Sequence, residues 1–119
     1  MRKTSSTNYS NSQELHDYCE AAYTLSLISG RWKLTILVEL TKGNNRFSLL
    51  KQVIPAITER VLALQLGQLE KDGLIIKSAF QGRNTPKNTY VYTLTEKGVE
   101  LQTVINSLET WGKKHQPVT

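Results

Sequence analysis

Apolar residues recur at helical spacing in the middle of the chain, between Ile57 and Ile76 (ITERVLALQLGQLEKDGLII). Three leucines in this stretch lie at i, i+4 and i+7, and therefore on one stripe of a helix: Leu62, Leu66 and Leu69. Thr58 is a candidate N-cap, because its hydroxyl can accept a hydrogen bond from a first-turn amide. Gly73 ends the pattern, since glycine readily adopts the left-handed conformation found after helices. The stretch predicts a helix of about four turns.

The face opposite the leucine stripe is small, mixed and almost uncharged: Arg60, Ala63, Leu64, Gly67 and Gln68. Charged side chains usually crowd the solvent side of a surface helix. A face with a single arginine and no other charge therefore indicates contact with a partner.

Two helices are predicted in the first third of the chain. The first begins at a capping box formed by Asn11 and Glu14, and Ser29-Gly30 ends it. Its apolar positions follow helical spacing: Leu15, Tyr18, Cys19, Ala22, Leu25 and Ile28. The second starts near Trp32, closes at Gly43, and also carries apolar residues on one side: Trp32, Ile36, Leu37 and Leu40.

A brief third helix is predicted between Ser48, as its cap, and Pro55, which ends it. Only a short turn then separates it from Thr58. Two helices joined in this way form a helix-turn-helix.

Two strands follow, over residues 74–80 and 89–94, and the second (TYVYTL) is rich in β-branched and aromatic residues. Between them lie turn-forming residues: Gly82, Asn84, Pro86 and Asn88. Thr95 is a candidate cap for a final helix. The predicted fold is mainly α with a small β-hairpin. It is a winged helix-turn-helix, in which the helix after Thr58 would enter a DNA major groove and the hairpin would be the wing.

The first and last helices have apolar faces beyond those that the central module needs. We interpret these faces as an interface between two copies of the chain, formed by Leu15, Tyr18, Cys19, Ala22, Leu101, Val104, Leu108 and Trp111. The alternative is that they cover the core of the same chain. Residues 1–11 are polar and small and are predicted to be a disordered tail, which leaves residues 12–119 as one domain.

Positive charge is concentrated in the middle of the chain. The net charge of +5 divides into +4 for residues 31–60, +2 for residues 61–90 and −1 for the two ends together. This distribution favours a polyanion as partner over a merely basic surface. A single cysteine excludes an intrachain disulfide and a cysteine metal site. With no apolar run of about 20 residues and no secretory pattern, we expect a cytoplasmic protein without membrane contact.

Several blocks in order resemble the HxlR-type family of bacterial winged-helix regulators, which are relatives of the MarR type. They are Cys19, ISGRWKLTILVEL at 28–40, RFSLLKQVIPAIT at 46–58, RVLALQLGQLEKDGLI at 60–75, YTLTEKGVEL at 92–101 and Trp111-Gly112. The resemblance implies a homodimeric, DNA-binding transcription factor without a cofactor, whose first and last helices make the dimer.

The candidate contacts to DNA divide into two groups. Thr58, Arg60, Ala63, Leu64 and Gln68 would meet base edges, where arginine pairs with guanine, glutamine with adenine, and apolar side chains with the thymine methyl. Arg83 and Lys87 in the wing, with Lys33, Arg46 and Ser48 near helix starts, would meet phosphates. The alternatives are ordinary surface residues and a solvated hairpin tip.

Cys19 has two possible roles, because some members of the resembling family sense oxidants or electrophiles through the cysteine at this position. The expected position inside the first helix, with Asp17 and Glu20 close in sequence, favours a structural role as a small buried side chain. A redox sensor is the alternative.

No enzyme or zinc site is predicted, because His16 and His115 lie near opposite ends of the chain without a carboxylate pattern. The favoured function is regulation of transcription as a homodimer on a pseudo-palindromic operator. The alternative is a winged-helix protein-interaction module.

Overall fold

The computed structural model describes residues 19–118, which contain five helices and one two-stranded antiparallel hairpin. The elements are α1 (Glu20–Ile28), α2 (Lys33–Thr41), α3 (Phe47–Val53), α4 (Glu59–Lys71), β1 (Ile75–Ala79), β2 (Tyr90–Leu94) and α5 (Glu96–His115). By their contacts the described residues form two units, 19–31 and 32–118. The predicted tail, the capping box at Asn11, and Leu15 and Tyr18 lie outside the described residues.

The first unit corrects the predicted position of Cys19. Its backbone is extended (φ −164°, ψ 150°), and its sulfur accepts a hydrogen bond from the Ala22 amide at 3.2 Å. Cys19 is therefore the N-cap of α1 and is exposed, not a buried residue two turns inside a helix. The prediction was wrong because the thiol takes the capping position that hydroxyl and amide side chains usually fill. The predicted break at Ser29-Gly30 is confirmed, with Gly30 at φ +99°.

The second unit has one apolar core, to which nearly every element contributes. Its most deeply buried side chains are Ile36, Leu37, Leu50, Ile57, Leu62, Leu66, Leu69, Leu74, Ile75 and Ile105. Helix α2 packs against α3, α4 and β2, while α4 packs against β1 and α5 against β2. The leucine stripe predicted for α4 is confirmed, and its burial leaves the opposite face of that helix outward.

Helices α3 and α4 form the predicted helix-turn-helix. Thr58 is the N-cap of α4, and its hydroxyl accepts a hydrogen bond from the Val61 amide at 3.1 Å. The prediction that Ser48 caps α3 was wrong. Arg46, in an extended conformation and without a side-chain cap, precedes the helix, and Ser48 is exposed in its first turn. The chain enters α3 from an extended segment, and the helix starts two residues earlier than predicted.

The end of α4 is tied to the start of α5. Gly73 has φ +77°, as predicted for a residue that follows a helix. The Thr95 hydroxyl donates to the Gly73 carbonyl at 2.5 Å, and the Lys97 ammonium donates to the Asp72 carbonyl at 2.8 Å. The same hydroxyl accepts the Gly98 amide at 3.1 Å and so caps α5, as predicted.

The hairpin pairs Ile75 with Leu94 and Ala79 with Tyr90, close to the predicted strand bounds. One more segment joins it, because the Tyr92 amide donates to the Asn45 carbonyl at 2.8 Å. The extended link before α3 therefore lies beside β2, which fixes the position of the wing relative to the helix-turn-helix. Among the described residues, no helix is both long and apolar enough to cross a membrane.

Candidate nucleic-acid interface

We call α4 the recognition helix. Its outward face carries the predicted base contacts. Arg60, Ala63 and Leu64 are exposed, Gln68 is half-buried, and Leu64 exposes 57% of its surface. The leucine stripe holds the opposite side of this helix in the core. The helix therefore presents a convex surface of small and apolar side chains, with Arg60 in its first turn.

The start of the recognition helix carries one cation, Arg60, and one exposed carboxylate, Glu59. Thr58, exposed at the cap, uses its hydroxyl oxygen to accept the Val61 amide, so its methyl group is left for outside contacts. Within residues 19–118, no carboxylate lies within 4 Å of the Arg60 guanidinium. The helix dipole adds partial positive charge at this end. The Arg60 guanidinium can therefore donate hydrogen bonds to a partner that presents acceptors.

The wing carries two of the predicted phosphate contacts. Arg83 and Lys87 are both exposed in the loop between β1 and β2. Asn84 and Asn88 have positive φ angles of 61° and 65°, and they turn the loop back between the strands. Left-handed conformations are accessible to asparagine, as the sequence predicts for a turn.

The loop end of the hairpin holds two cation–aromatic contacts that the sequence analysis missed. The Arg46 Cζ atom lies 4.6 Å from the centre of the Phe80 ring, and the Lys77 Nζ atom lies 4.4 Å from the centre of the Tyr90 ring. Of these two contacts, only the one between Lys77 and Tyr90 could have been predicted from the pairing of the two strands. Strand register brings Ala79 opposite Tyr90, so Lys77, two residues from Ala79, lies on the same face.

The remaining predicted phosphate contacts are spread over other helices. Lys33 is the first residue of α2 and is half-buried, while Ser48 is exposed in the first turn of α3. Lys51 is also on α3 but in its last turn, where its ammonium donates to the Pro55 carbonyl at 3.3 Å.

Helix α5 exposes a row of large apolar side chains. Val104, Leu108 and Trp111 are 41%, 39% and 66% exposed, and the Trp111 ring lies 4.4 Å from the ring of His115. Leu101, predicted for the same interface, is a correction, because it is 8% exposed and belongs to the core of its own chain. In the first unit, Cys19 is exposed and Ala22 is half-buried.

Tyr92 lies at the centre of the hairpin and is buried. Burial is the main reason that its pKa is raised above 10.0, and the negative charge of Glu70 and the phenol of Tyr90 raise it further. The side chain is therefore neutral at physiological pH, as the inner face of the wing requires.

Comparison with known proteins now assigns the family. The sequence profile described as HxlR-like helix-turn-helix matches residues 27–119, which is most of the chain. The chain belongs to the HxlR-like family. The HTH-type transcriptional regulator YdeP of Bacillus subtilis is 39% identical over 98 residues, covering 82% of this chain and 74% of YdeP.

Two solved structures are similar to this chain over most of their length. The redox regulator HypR in its reduced form has a TM-score of 0.74 and 31% identity, over 82% of this chain and 94% of HypR. Diamide-treated YodB from B. subtilis has a TM-score of 0.65 and 29% identity, over 84% of this chain and 97% of YodB. The winged-helix fold is thereby confirmed. As an HxlR-like helix-turn-helix protein, the chain is a DNA-binding transcriptional regulator of the MarR-like class and not an enzyme.

Proposed function

We propose that this regulator binds a pseudo-palindromic operator as a homodimer, with one recognition helix in each of two successive major grooves. The observation that carries this proposal is the outward face of the recognition helix, which is exposed or half-buried, has Arg60 as its one charge between residues 60 and 68, and is flanked by the basic wing. A major groove admits one helix, and small or apolar side chains allow close approach to base edges.

Each side chain on this face would have a different task. Arg60 would donate two hydrogen bonds to guanine, and Gln68 would pair with adenine. Leu64 and Ala63, both exposed, would contact thymine methyl groups. Arg83 and Lys87 would hold the phosphate backbone beside the groove, and Lys33, Arg46 and Ser48 would add contacts from the helices. These roles imply a cytoplasmic location, because that is where the operator would lie.

The dimer would use the exposed row on α5. Val104, Leu108 and Trp111 form a surface that is costly to leave in water, and a second copy of the same helix offers a matching surface. In the first unit, Ala22 on α1 remains a predicted interface residue. Two-fold symmetry would then place the recognition helices for half-sites about 34–36 Å apart.

The test is selection of bound duplexes from a random DNA pool with the purified protein, followed by titration of the selected duplex at several salt concentrations. The logarithm of the binding constant should fall linearly with the logarithm of salt concentration, with a slope of about −5 to −10 for a dimer with several phosphate contacts per subunit. Failure to bind any selected duplex at about 50 mM salt would contradict the proposal and favour a protein-interaction module.

We also propose that Cys19 responds to an oxidant or electrophile and thereby changes operator binding. Its exposure supports this, because a thiol must be accessible to react. The similar protein HypR is a redox regulator, and the similar protein YodB has been solved in a diamide-treated form. Diamide should weaken operator binding by the wild type but not by Cys19→Ser. An equal response of both proteins would exclude this thiol as the sensor.

A further inference from the structure

We infer that Phe80 and Tyr90 are positioning residues, whose rings hold Arg46 and Lys77 at the loop end of the hairpin as fixed contacts for the DNA phosphate backbone. The inference rests on the proposed function, since the ligand of the two cations is the duplex. It assigns a role to Phe80 and Tyr90, which the sequence analysis did not place in the interface.

The main chain around Arg46 is held on both sides. The Asn45 carbonyl accepts the Tyr92 amide at 2.8 Å, and the Arg46 carbonyl accepts the Leu50 amide at 2.9 Å. One bond ties the residue to β2 and the other to α3. The side chain is therefore the one part of Arg46 left to be ordered, and the Phe80 ring at 4.6 Å orders it.

Lys77 is held in the same way on the other face of the hairpin. Its ammonium lies 4.4 Å from the Tyr90 ring, and strand alternation places Lys77 and Tyr90 on the face opposite to Phe80. The Phe80 amide donates to the Thr89 carbonyl at 2.8 Å, which continues the ladder and fixes both rings to the strands. The wing therefore has one oriented cation on each face.

The two cations remain available to an anion. Within residues 19–118, neither Arg46 nor Lys77 has a carboxylate within 4 Å, and each contacts a ring that bears no net charge. Phe80 and Tyr90 are 37% and 38% exposed, so the pairs lie at the surface and not in the core. A long side chain that is already ordered loses less conformational entropy when it binds a phosphate. An aromatic ring can therefore strengthen a phosphate contact without touching DNA.

The test is a double-mutant cycle on binding of the selected duplex. Phe80→Leu keeps an apolar side chain but removes the ring face, and it should weaken binding about two- to fivefold per protomer. Phe80→Tyr should restore the wild-type affinity. In an Arg46→Gln background, Phe80→Leu should have no further effect, because the guanidinium through which it acts is gone. Tyr90→Leu, Tyr90→Phe and Lys77→Gln form a second, independent cycle.

A purely structural role would give another pattern. Loss of hairpin stability would be seen in the thermal midpoint, and Phe80→Leu would then weaken binding equally in the wild-type and Arg46→Gln backgrounds. Ile76→Ala is the matched control, because Ile76 is 51% exposed on the same face of the hairpin as Phe80. It should leave the affinity unchanged.

Three results would overturn the inference: no loss of affinity in Phe80→Leu, independent losses in the cycle, or tighter binding by Phe80→Leu. The third would mean that the ring holds Arg46 away from DNA. Titration of the wild type comes first, because it distinguishes a failure of the proposed function from a failure of the positioning role alone. A wild type that binds no duplex would remove the proposed function itself, and a wild type that binds while the cycle fails would remove only the positioning role.

Discussion

At the scale of single residues, two arginines illustrate how the setting of a side chain decides its role. Arg60 projects from the first turn of a helix whose opposite side is buried, so its position relative to a groove would be well defined. Arg83 lies in an exposed loop, where the backbone constrains it less. Base recognition needs accurate placement, whereas phosphate attraction needs mainly charge.

Arg60→Ala and Arg83→Ala are therefore expected to differ in kind. Loss of Arg60 should cost about 1–3 kcal/mol on the preferred duplex and relax the preference at one base position. Loss of Arg83 should weaken all duplexes by a similar factor and reduce the salt slope. Binding measured on a panel of single-base variants at several salt concentrations distinguishes the two. If Arg60→Ala weakens every duplex equally, Arg60 contacts the backbone instead.

Tyr92 makes stability depend on pH in the alkaline range. Its pKa in the folded chain is raised above the value of 10.0 in the unfolded chain, chiefly by burial. Above pH 10 the unfolded state releases a proton that the folded state retains, so the contribution of Tyr92 to stability is present below pH 10 and is lost as pH rises through the folded pKa. Tyr92→Phe removes this dependence. Denaturant titrations at about pH 8 and about pH 11 should show the variant gaining stability relative to the wild type. A difference that stays constant with pH would contradict the assignment.

At the scale of elements, the start of α5 explains why the short segment LTEKG (residues 94–98) matters structurally. Thr95 and Lys97 donate hydrogen bonds to the Gly73 and Asp72 carbonyls, which directly follow the recognition helix. Gly98 lets α5 approach the Leu74 backbone closely. A Cβ atom at Gly98 would collide with the Leu74 carbonyl oxygen. The contacts of Thr95, Lys97 and Gly98 thus lie within one helical turn, and they hold the recognition helix, the wing and α5 together.

Gly98→Ala should therefore destabilise the protein, although alanine is normally the better helix former. The added Cβ is fixed to the α5 backbone and meets a backbone oxygen of Leu74, so the contact is relieved only by a shift of α5 or of the chain before β1. We expect the free energy of unfolding to fall by about 1–3 kcal/mol. Gly67→Ala is the matched control, because a Cβ there meets nothing within 4 Å. It should raise stability by about 0.5–1 kcal/mol. Thermal or denaturant unfolding without DNA measures both, and an increase in stability for both variants would show that α5 can move freely.

At the scale of the whole molecule, the exposed row on α5 predicts the oligomeric state. Val104, Leu108 and Trp111 follow one side of the helix beside the buried Leu101 and Ile105. Val99 is also exposed, at 56%, but helical geometry places it on a different face. The two kinds of exposed side chain allow an interface to be tested with a control on the same helix.

Leu108→Glu should convert the dimer to a monomer, because a carboxylate would lose its hydration in an apolar interface. Tight operator binding should be lost with it, since half-sites one turn apart need both recognition helices. Val99→Glu should remain a dimer that binds. Sedimentation at micromolar concentration with and without the selected duplex provides the measurement. A wild type that sediments as a monomer would contradict the predicted interface.

The elements of the second unit follow closely from the sequence. The leucine stripe of the recognition helix, the caps Thr58 and Thr95 and the stop at Gly73 were all predicted and are all present. Each depends on residues within one or two turns of one another, so the physical cause is contained in a short stretch of chain. The outward face of the recognition helix can be inferred from the leucine stripe, because burial of one side of the helix exposes the other.

Only the tertiary structure decided the features that join distant parts of the chain. The Asn45 carbonyl beside Tyr92, the Phe80 ring under Arg46 and the Thr95 hydroxyl on Gly73 each bring together residues more than twenty positions apart. No local pattern encodes such distances, because the geometry depends on how whole elements pack. The burial of Leu101 has the same cause. Helical spacing identifies an apolar side of α5, but packing against the rest of the second unit determines which of its residues the core covers and which remain for a partner.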